Sequence, residues 1–314
     1  MKAITVVICT YDRYDLLTKS IESLYRQATN VADYNVLVVD NTPKQHRKSC
    51  DFLIKKYKSY GNFKIIFEDV PGLSNARNRA LEAGNSKYIA YLDDDAIASS
   101  SWIDCLLKAF EFSGRVGVVG GQIQPIWAKR RPSWLGDQLL GYLSVVDWGG
   151  ELRLAAADEW FAGANIAFSR ELLKSCGGFS PGLGRVGNSS VLMSNEESQI
   201  IDFARQNNYE LVYAPEAMVD HLVEEKRMTQ SWFRRRVAWQ AVSDFKLDAT
   251  SAQADPRKKE RNIKDFLISL PPLYRNLQGM YLDLDDPDEF VWQLSAIYSY
   301  TLLTLSGFEG LKNV

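Results

Sequence analysis

The chain has 314 residues, 46% of them hydrophobic and 24% charged, with a formal net charge of -2. That is enough chain for a large core, too apolar for disorder, and too close to neutral for a nucleic-acid partner held by bulk electrostatics. Cys9, Cys50, Cys105 and Cys176 are widely spaced, and His46 and His221 are the only histidines. Neither a disulfide framework nor a Cys/His zinc set can be assembled from these, which makes the cytosol the default compartment.

Apolar and helical periods alternate from the start. Ile4 to Cys9 is a continuous β-branched run, as a parallel strand buried on both faces requires. It is too short for a secretory signal and lacks a cleavage site. Asp15 to Gln27 carries Leu16, Leu17, Ile21, Leu24 and Tyr25 on one helical stripe. Strands are predicted at 36–39, 63–67, 88–92 and 116–119, with helices at 50–60, 75–84 and 102–112, Gly84 capping the second of these. The stretch 122–158 is irregular and rich in Trp, Pro and Gly. Beyond it come a strand at 165–168, a helix at 197–206, a short strand at 211–213 and a helix at 230–245. Residues 248–262 read as a polar linker and 263–314 as a helical tail. Phe290 to Phe308 is interrupted by Gln293, Ser295, Ser299, Thr301, Thr304 and Ser306, so it reads as an amphipathic or buried helix and not a membrane span. Repeated strand-helix-strand units predict an α/β domain with a mostly parallel sheet, and ligands in such sheets bind beyond the carboxyl ends of the strands.

Thr10, Asp12, Asp40 and Asp93-Asp94-Asp95 all come just after predicted strands and so converge on one crevice. Three consecutive carboxylates after Tyr88-Ile-Ala-Tyr-Leu92 gather charge that a hard divalent cation would offset, bridging protein and diphosphate. The alternative is an acidic turn leading to the next helix. Thr10 and Asp12 offer donors and acceptors for a nucleobase and ribose, or simply cap the next helix. In Gly72-Leu-Ser-Asn-Ala-Arg-Asn-Arg79, Gly72 permits a tight turn, Ser74 or Asn75 can cap, and Arg77 or Arg79 can face a nucleotide.

These elements, in this order, resemble the family 2 glycosyltransferases over about residues 3 to 246. Ala162-Gly-Ala-Asn-Ile-Ala-Phe168, Gly177-Gly-Phe179, Asn195-Glu-Glu197 and Tyr213-Ala-Pro-Glu-Ala217 with His221 and Arg227 continue the resemblance. The resemblance implies a GT-A fold, a Rossmann-like and mostly parallel sheet flanked by helices, over 1–247. Residues 1–121 form its nucleotide-binding half and 122–247 its acceptor half, with a helical extension over 248–314. It implies Thr10, Asp12, Asp40 and Arg77 at the base and ribose, and Asp94 near the sugar or ribose. Asp95 becomes the principal metal ligand, with Asp93 and His221 beside it, although His221 could also be structural. The catalytic base is the second acid of the family's Glu-Asp pair. This chain has Glu197 there, one methylene longer, with Glu196 as the competing assignment.

The family implies an inverting transfer from a nucleoside-diphosphate sugar, UDP-sugars favoured, to a glycan, lipid-linked or other hydroxyl acceptor, with Mn²⁺ or Mg²⁺ as cofactor. Polysaccharide or glycoconjugate assembly is the expected setting. Arg234-Arg235-Arg236 with Trp239 loosely resembles an Arg-x-x-Trp element of processive relatives, putting Arg235 and Trp239 at the substrate. A solvated basic helix face is the equal alternative. Trp127, Trp134, Trp148 and Trp160 are acceptor-stacking candidates or core. Homodimerisation or peripheral contact with the inner face of a membrane through the C-terminal helices stays open. A nucleotidyltransferase would need a glycine-rich loop that residues 9–15 lack. A non-catalytic binding protein on the same fold has only the Glu at 197 in its favour.

Overall fold

The first strand, β1 (Ile4–Thr10), is buried on both faces except at Cys9, so helices must cover the sheet on either side. The structure, a computed structural model, describes residues 2–48, 50–187, 191–248, 256–276 and 278–307. After β1 come α1 (Tyr14–Leu24), β2 (Tyr34–Asp40), α2 (Asp51–Tyr57), β3 (Phe63–Phe67), α3 (Leu73–Ala83), β4 (Tyr88–Leu92), β5 (Ala96–Ala98) and α4 (Trp102–Phe110). The chain continues through β6 (Val116–Trp127), β7 (Arg153–Leu154), β8 (Asn165–Ser169), α5 (Arg170–Ser175), α6 (Glu196–Gln206) and β9 (Glu210–Val223). It ends with α7 (Gln230–Asp248), α8 (Pro256–Ser269) and α9 (Pro287–Leu305).

The sheet runs β3-β2-β1-β4-β8-β6-β9-β5, with β7 added on β9. Its β3-β2-β1-β4 half is parallel. Beyond it, β8 pairs antiparallel with β4 and β6, and β9 with β7 and β5, so the sheet is mixed, its parallel part being β3-β2-β1-β4. Two strands, β6 and β9, run well past their expected lengths. β9 alternates buried and less buried positions over its second half, a pattern that short apolar runs do not flag.

Two compact units are present: Met1–Ile126 with Ser144–Ser189 and Glu196–Leu222, and Trp127–Leu143 with Ser190–Asn195 and Val223–Val314. In the first, alternate residues of β1 point to opposite faces. Ile4, Val6 and Ile8 pack with Leu17, Ile21 and Leu24 of α1 and Ile103 and Leu106 of α4. Val7 packs with Ala76 and Ala80 of α3, Leu172 and Leu173 of α5, and Ile200 and Ile201 of α6. Each such fully buried aliphatic side chain contributes about 1.5–3 kcal/mol, so both faces are strongly anchored.

In the second unit, Phe233 of α7 and Phe290 of α9 meet edge-on around Trp134. Leu267, Leu270, Tyr274, Ala296 and Leu303 form the core between α8 and α9. The Asp286 carboxylate accepts from the Asp288 and Glu289 amides and so caps α9, with Pro287 in its first turn. Helix α8 begins at Pro256, inside the stretch expected to be a linker, because Pro is tolerated in a first turn and Lys, Arg and Glu are good helix formers. Residues 249–255 of that stretch and 308–314 of the expected tail lie outside the described residues. Among the described residues no helix is long and apolar enough to cross a membrane. Gly84 succeeds α3 in extended conformation, not as a left-handed cap. Its missing Cβ matters for another reason, since one there would lie 2.9 Å from Arg170 Nη2.

Candidate active site

After the buried strand β4 the chain turns sharply, the Ala96 amide donating to Asp93 O at 3.1 Å. The acidic triplet therefore does occupy a turn, but strand pairing gives that turn a partner. β5 pairs with β9 in a register that sets Ala96 opposite His221, and the Leu222 amide donates to Asp95 O at 3.1 Å. Backbone pairing thus brings the imidazole onto the carboxylates. His221 Nε2 lies 3.2 Å from Asp95 Oδ1 and 4.0 Å from Asp93 Oδ2. One ligand atom from each of Asp93, Asp95 and His221 lies within 4.8 Å of the others. Asp95 and His221 are buried, while the Asp93 side chain is 38% exposed and leaves an open side. Two carboxylates and one imidazole fit a divalent cation with hard-to-borderline preference. Nδ1 of His221 is buried and has no hydrogen-bond partner among the described residues.

Asp94, the middle acid, faces inward. Its Oδ2 accepts from the Thr10 hydroxyl at 2.7 Å, and its Oδ1 meets Arg13 Nη1 at 3.0 Å. Ser20 donates to its backbone carbonyl. Arg13 Nη2 also reaches Asp95 Oδ2 at 2.7 Å. Burial pushes the Asp94 carboxyl up to about 7; Arg13 opposes this and Asp95 adds to it. Burial also penalises the charge of Asp95, yet His221 and Arg13 hold its carboxyl well below the usual carboxylate range. Of two adjacent acids, one is held ionised and the other drifts toward protonation.

Asp40 is fully buried. It accepts from the Thr42 amide and the Tyr14 hydroxyl, both at 2.9 Å. Asn41 accepts from the Gly72 amide and donates to the Glu68 and Val70 carbonyls, tying the end of β2 to the start of α3. Asp12 is exposed and left-handed, with φ 53°, its amide donating to Thr42 Oγ1. Of the residues expected at the base and ribose, then, Asp12 faces solvent, whereas Thr10, Asp40 and Arg77 are buried on protein partners.

Arg77 projects from α3 between the rings of Tyr91 and Phe179, at 5.4 and 5.2 Å from their centres. Its Nη1 lies 2.7 Å from Glu197 Oε1 and 3.4 Å from Glu196 Oε1. Gly163 lies against this pair: a Cβ there would collide with Glu197 Oε1 and Arg77 Nη2, so one of these side chains would have to shift. The two acids open α6, where the helix dipole favours negative charge. They differ in access, the Glu196 side chain being 6% exposed and that of Glu197 14%. Glu196 Oε2 is buried and has no partner among the described residues. Burial and then the charge of Glu197 push the Glu196 carboxyl up to about 7, against Arg77.

This shift links stability to pH. In the unfolded chain Glu196 ionises near its ordinary value of 4.5, but in the folded chain it holds its proton to about 7. The folded state therefore binds the extra proton in this window, and stability falls as pH rises through it. Glu196→Gln removes this dependence. The variant's stability relative to wild type should rise between pH 4.5 and 7 by on the order of 2–3 kcal/mol. Urea melts at the two pH values measure it, and a pH-independent difference rejects the assignment.

In the second unit, Arg234 is buried on Gln293, Asp283 and the Leu282 carbonyl, while Arg235 is exposed. Arg236, with Trp239 three positions on, donates to Ser194 Oγ at 3.4 Å. Trp134 is committed to the aromatic core with Phe233 and Phe290. Trp148 and Trp160 meet edge-on at 6.0 Å, Trp148 Nε1 donating to the Trp160 carbonyl. Trp127 is half-buried beneath the Arg131 guanidinium.

Arg13 directly follows Asp12 and ends the Val6-Val-Ile-Cys-Thr-Tyr-Asp-Arg13 motif, but the sequence gives it no role. Gly163 and Phe179 stood inside quoted motifs without a role. The signal was their position in the motif, and only the fold shows what they touch.

Comparison with known proteins agrees with this architecture. The model of glycosyl transferase family 2 matches residues 5–172. The chain is 26% identical over 313 residues to the glucosyl-dolichyl phosphate glucuronosyltransferase of Haloferax volcanii, covering 97% of this chain and 95% of that protein. It is 26% identical over 242 residues to the succinoglycan biosynthesis protein ExoM of Rhizobium meliloti, covering 74% and 71%. A mannosyltransferase from Pyrobaculum calidifontis, solved with GDP-Man and Mn²⁺, superposes with a TM-score of 0.61 at 17% identity, over 98% of this chain and 88% of that one. The fold is GT-A, and the chain belongs to glycosyl transferase family 2.

Proposed function

We propose that this glycosyltransferase is an inverting, metal-dependent enzyme that moves a sugar from a nucleoside-diphosphate donor to an acceptor hydroxyl. The observation that carries this reading is the cradle of Asp93, Asp95 and His221, in the same unit as the Glu196–Glu197 pair that opens α6. Burial, Asp95 and His221 act most strongly on the Asp93 carboxyl, and the charges of Arg77 and Glu197 reach it as well. The cradle and the Glu196–Glu197 pair both belong to the first unit.

Asp93, Asp95 and His221 would hold the cation, and the imidazole favours Mn²⁺ over Mg²⁺. When bound, it supplies Lewis-acid stabilisation for charge growing on the departing diphosphate. Glu197 is the base. It is the more accessible acid, and Arg77 fixes the direction of its carboxylate. It takes the proton of the acceptor hydroxyl, whose oxygen attacks the anomeric carbon from the face opposite the leaving nucleoside diphosphate. Asp12, exposed beside β1, is available to the donor, whereas Thr10 and Asp40 act by holding the loops around it. A sugar carried on a lipid phosphate is the acceptor class we favour, since the Haloferax volcanii relative is named for acting on glucosyl-dolichyl phosphate.

A melting screen with Mn²⁺ and UDP- and GDP-sugars tests the donor reading. A sugar nucleotide at about 100 times its Kd adds about 2.7 kcal/mol to stability. For a protein of this size that shifts Tm by roughly 5 °C. The shift should require the cation, and the same sugar nucleotide should be hydrolysed slowly without acceptor. A panel in which none is bound and none is hydrolysed rejects the proposal.

A further inference from the structure

The acids of the triplet are not equally available. Asp94 spends both carboxylate oxygens on the protein, one on Thr10 at 2.7 Å and one on Arg13 at 3.0 Å. Asp95 gives Oδ2 to Arg13 at 2.7 Å and turns Oδ1 toward His221 at 3.2 Å. A planar guanidinium offers two parallel donors, so one residue can span both acids; a lysine ammonium cannot. Arg13 is itself partly exposed, its side chain being 30% accessible beside the cradle.

We propose that Arg13 is a positioning residue that leaves Asp95 a single oxygen for the cation and weakens cation binding until a diphosphate arrives. This rests on the cation reading of Asp93, Asp95 and His221. The physical argument is charge balance. Arg13 neutralises part of the acidic cluster and repels a second cation placed on the other oxygen of Asp95. A diphosphate reverses the sign of the problem, because its negative charge is attracted by Arg13 and by the cation together. Cation and diphosphate therefore bind with positive coupling, and the coupling depends on Arg13.

The test is a Mn²⁺ titration monitored by electron paramagnetic resonance, with and without UDP or GDP. In wild type the nucleoside diphosphate should tighten Mn²⁺ binding by about tenfold or more, within the usual range of coupling between sites. Arg13→Gln should bind Mn²⁺ alone about five- to tenfold more tightly than wild type, as expected for removing a nearby positive charge. It should also gain less from the nucleoside diphosphate. Equal or weaker Mn²⁺ binding by Arg13→Gln overturns the proposal. If that variant gives no cooperative melt, Arg13→Lys carries the test. It keeps the charge but reaches one carboxylate, so Mn²⁺ alone should bind about two- to threefold more tightly; no gain overturns the proposal. Absence of Mn²⁺ binding by wild type, with or without nucleoside diphosphate, would reject the cation reading itself, a result distinct from a failure at Arg13.

Discussion

Asp95→Ala is expected to lower kcat/KM for sugar transfer by about 10³-fold, or roughly 4 kcal/mol of transition-state stabilisation. It removes a proposed ligand whose Oδ1 faces His221. The fold should survive. Arg13 retains Asp94, whose other oxygen stays on Thr10, and the repulsion among three neighbouring acids is relieved. Breaking a buried ion pair usually costs several kcal/mol because a charge is stranded, but here no charge is left alone. Transfer assays beside a thermal melt separate the two effects. Full activity in the folded variant sinks the metal assignment, and a melt too low to permit assay sinks the claim that the cluster is functional rather than structural.

Glu197→Gln is expected to reduce kcat by about 10²–10⁴-fold, the typical contribution of a general base, while donor Kd stays near wild type. Gln keeps the shape and can still accept from Arg77 Nη1, which lies 2.7 Å from Oε1 of Glu197. Only the ability to take a proton is lost. Glu196→Gln should have a far smaller effect on kcat, since that side chain is the more buried and its carboxyl already tends to hold a proton near neutrality. The reverse ranking of the two variants would transfer the base to Glu196. A donor Kd that worsens in parallel with kcat would make Glu197 a binding residue.

Much of the parallel half of the sheet was legible in the sequence, because strands buried on both faces are written as uninterrupted apolar runs. Tyr88–Leu92 has the bounds expected for it; the edge strand Phe63–Phe67 does too, although it carries Lys64 and none of its residues is fully buried. The antiparallel half was legible only in part: β8 was expected at 165–168 and runs Asn165–Ser169, but β6 and β9 extend well past their expected ends. In β9 buried residues alternate with less buried ones, and a pattern search finds only its apolar core. Asp93, Asp95 and His221 were named together from the order of motifs, and the structure brings their side chains together. Arg77 was expected at the nucleotide. Its commitment to Glu196 and Glu197, 119 and 120 positions away, is a long-range pairing that no local pattern encodes. Arg13 was passed over for a related reason. An arginine after a strand looks like a solvated residue until the fold sets two carboxylates against it.

The register between β5 and β9 carries a design consequence. His221 reaches the acids because backbone hydrogen bonds hold Ala96 opposite it and tie Leu222 to Asp95, and neither bond depends on the imidazole. The frame and the donor atom are therefore separable. On the proposed cation reading, position 221 is a socket into which another ligand type can be set on the same backbone frame, and one substitution there should retune the hardness of the site and its choice among divalent cations.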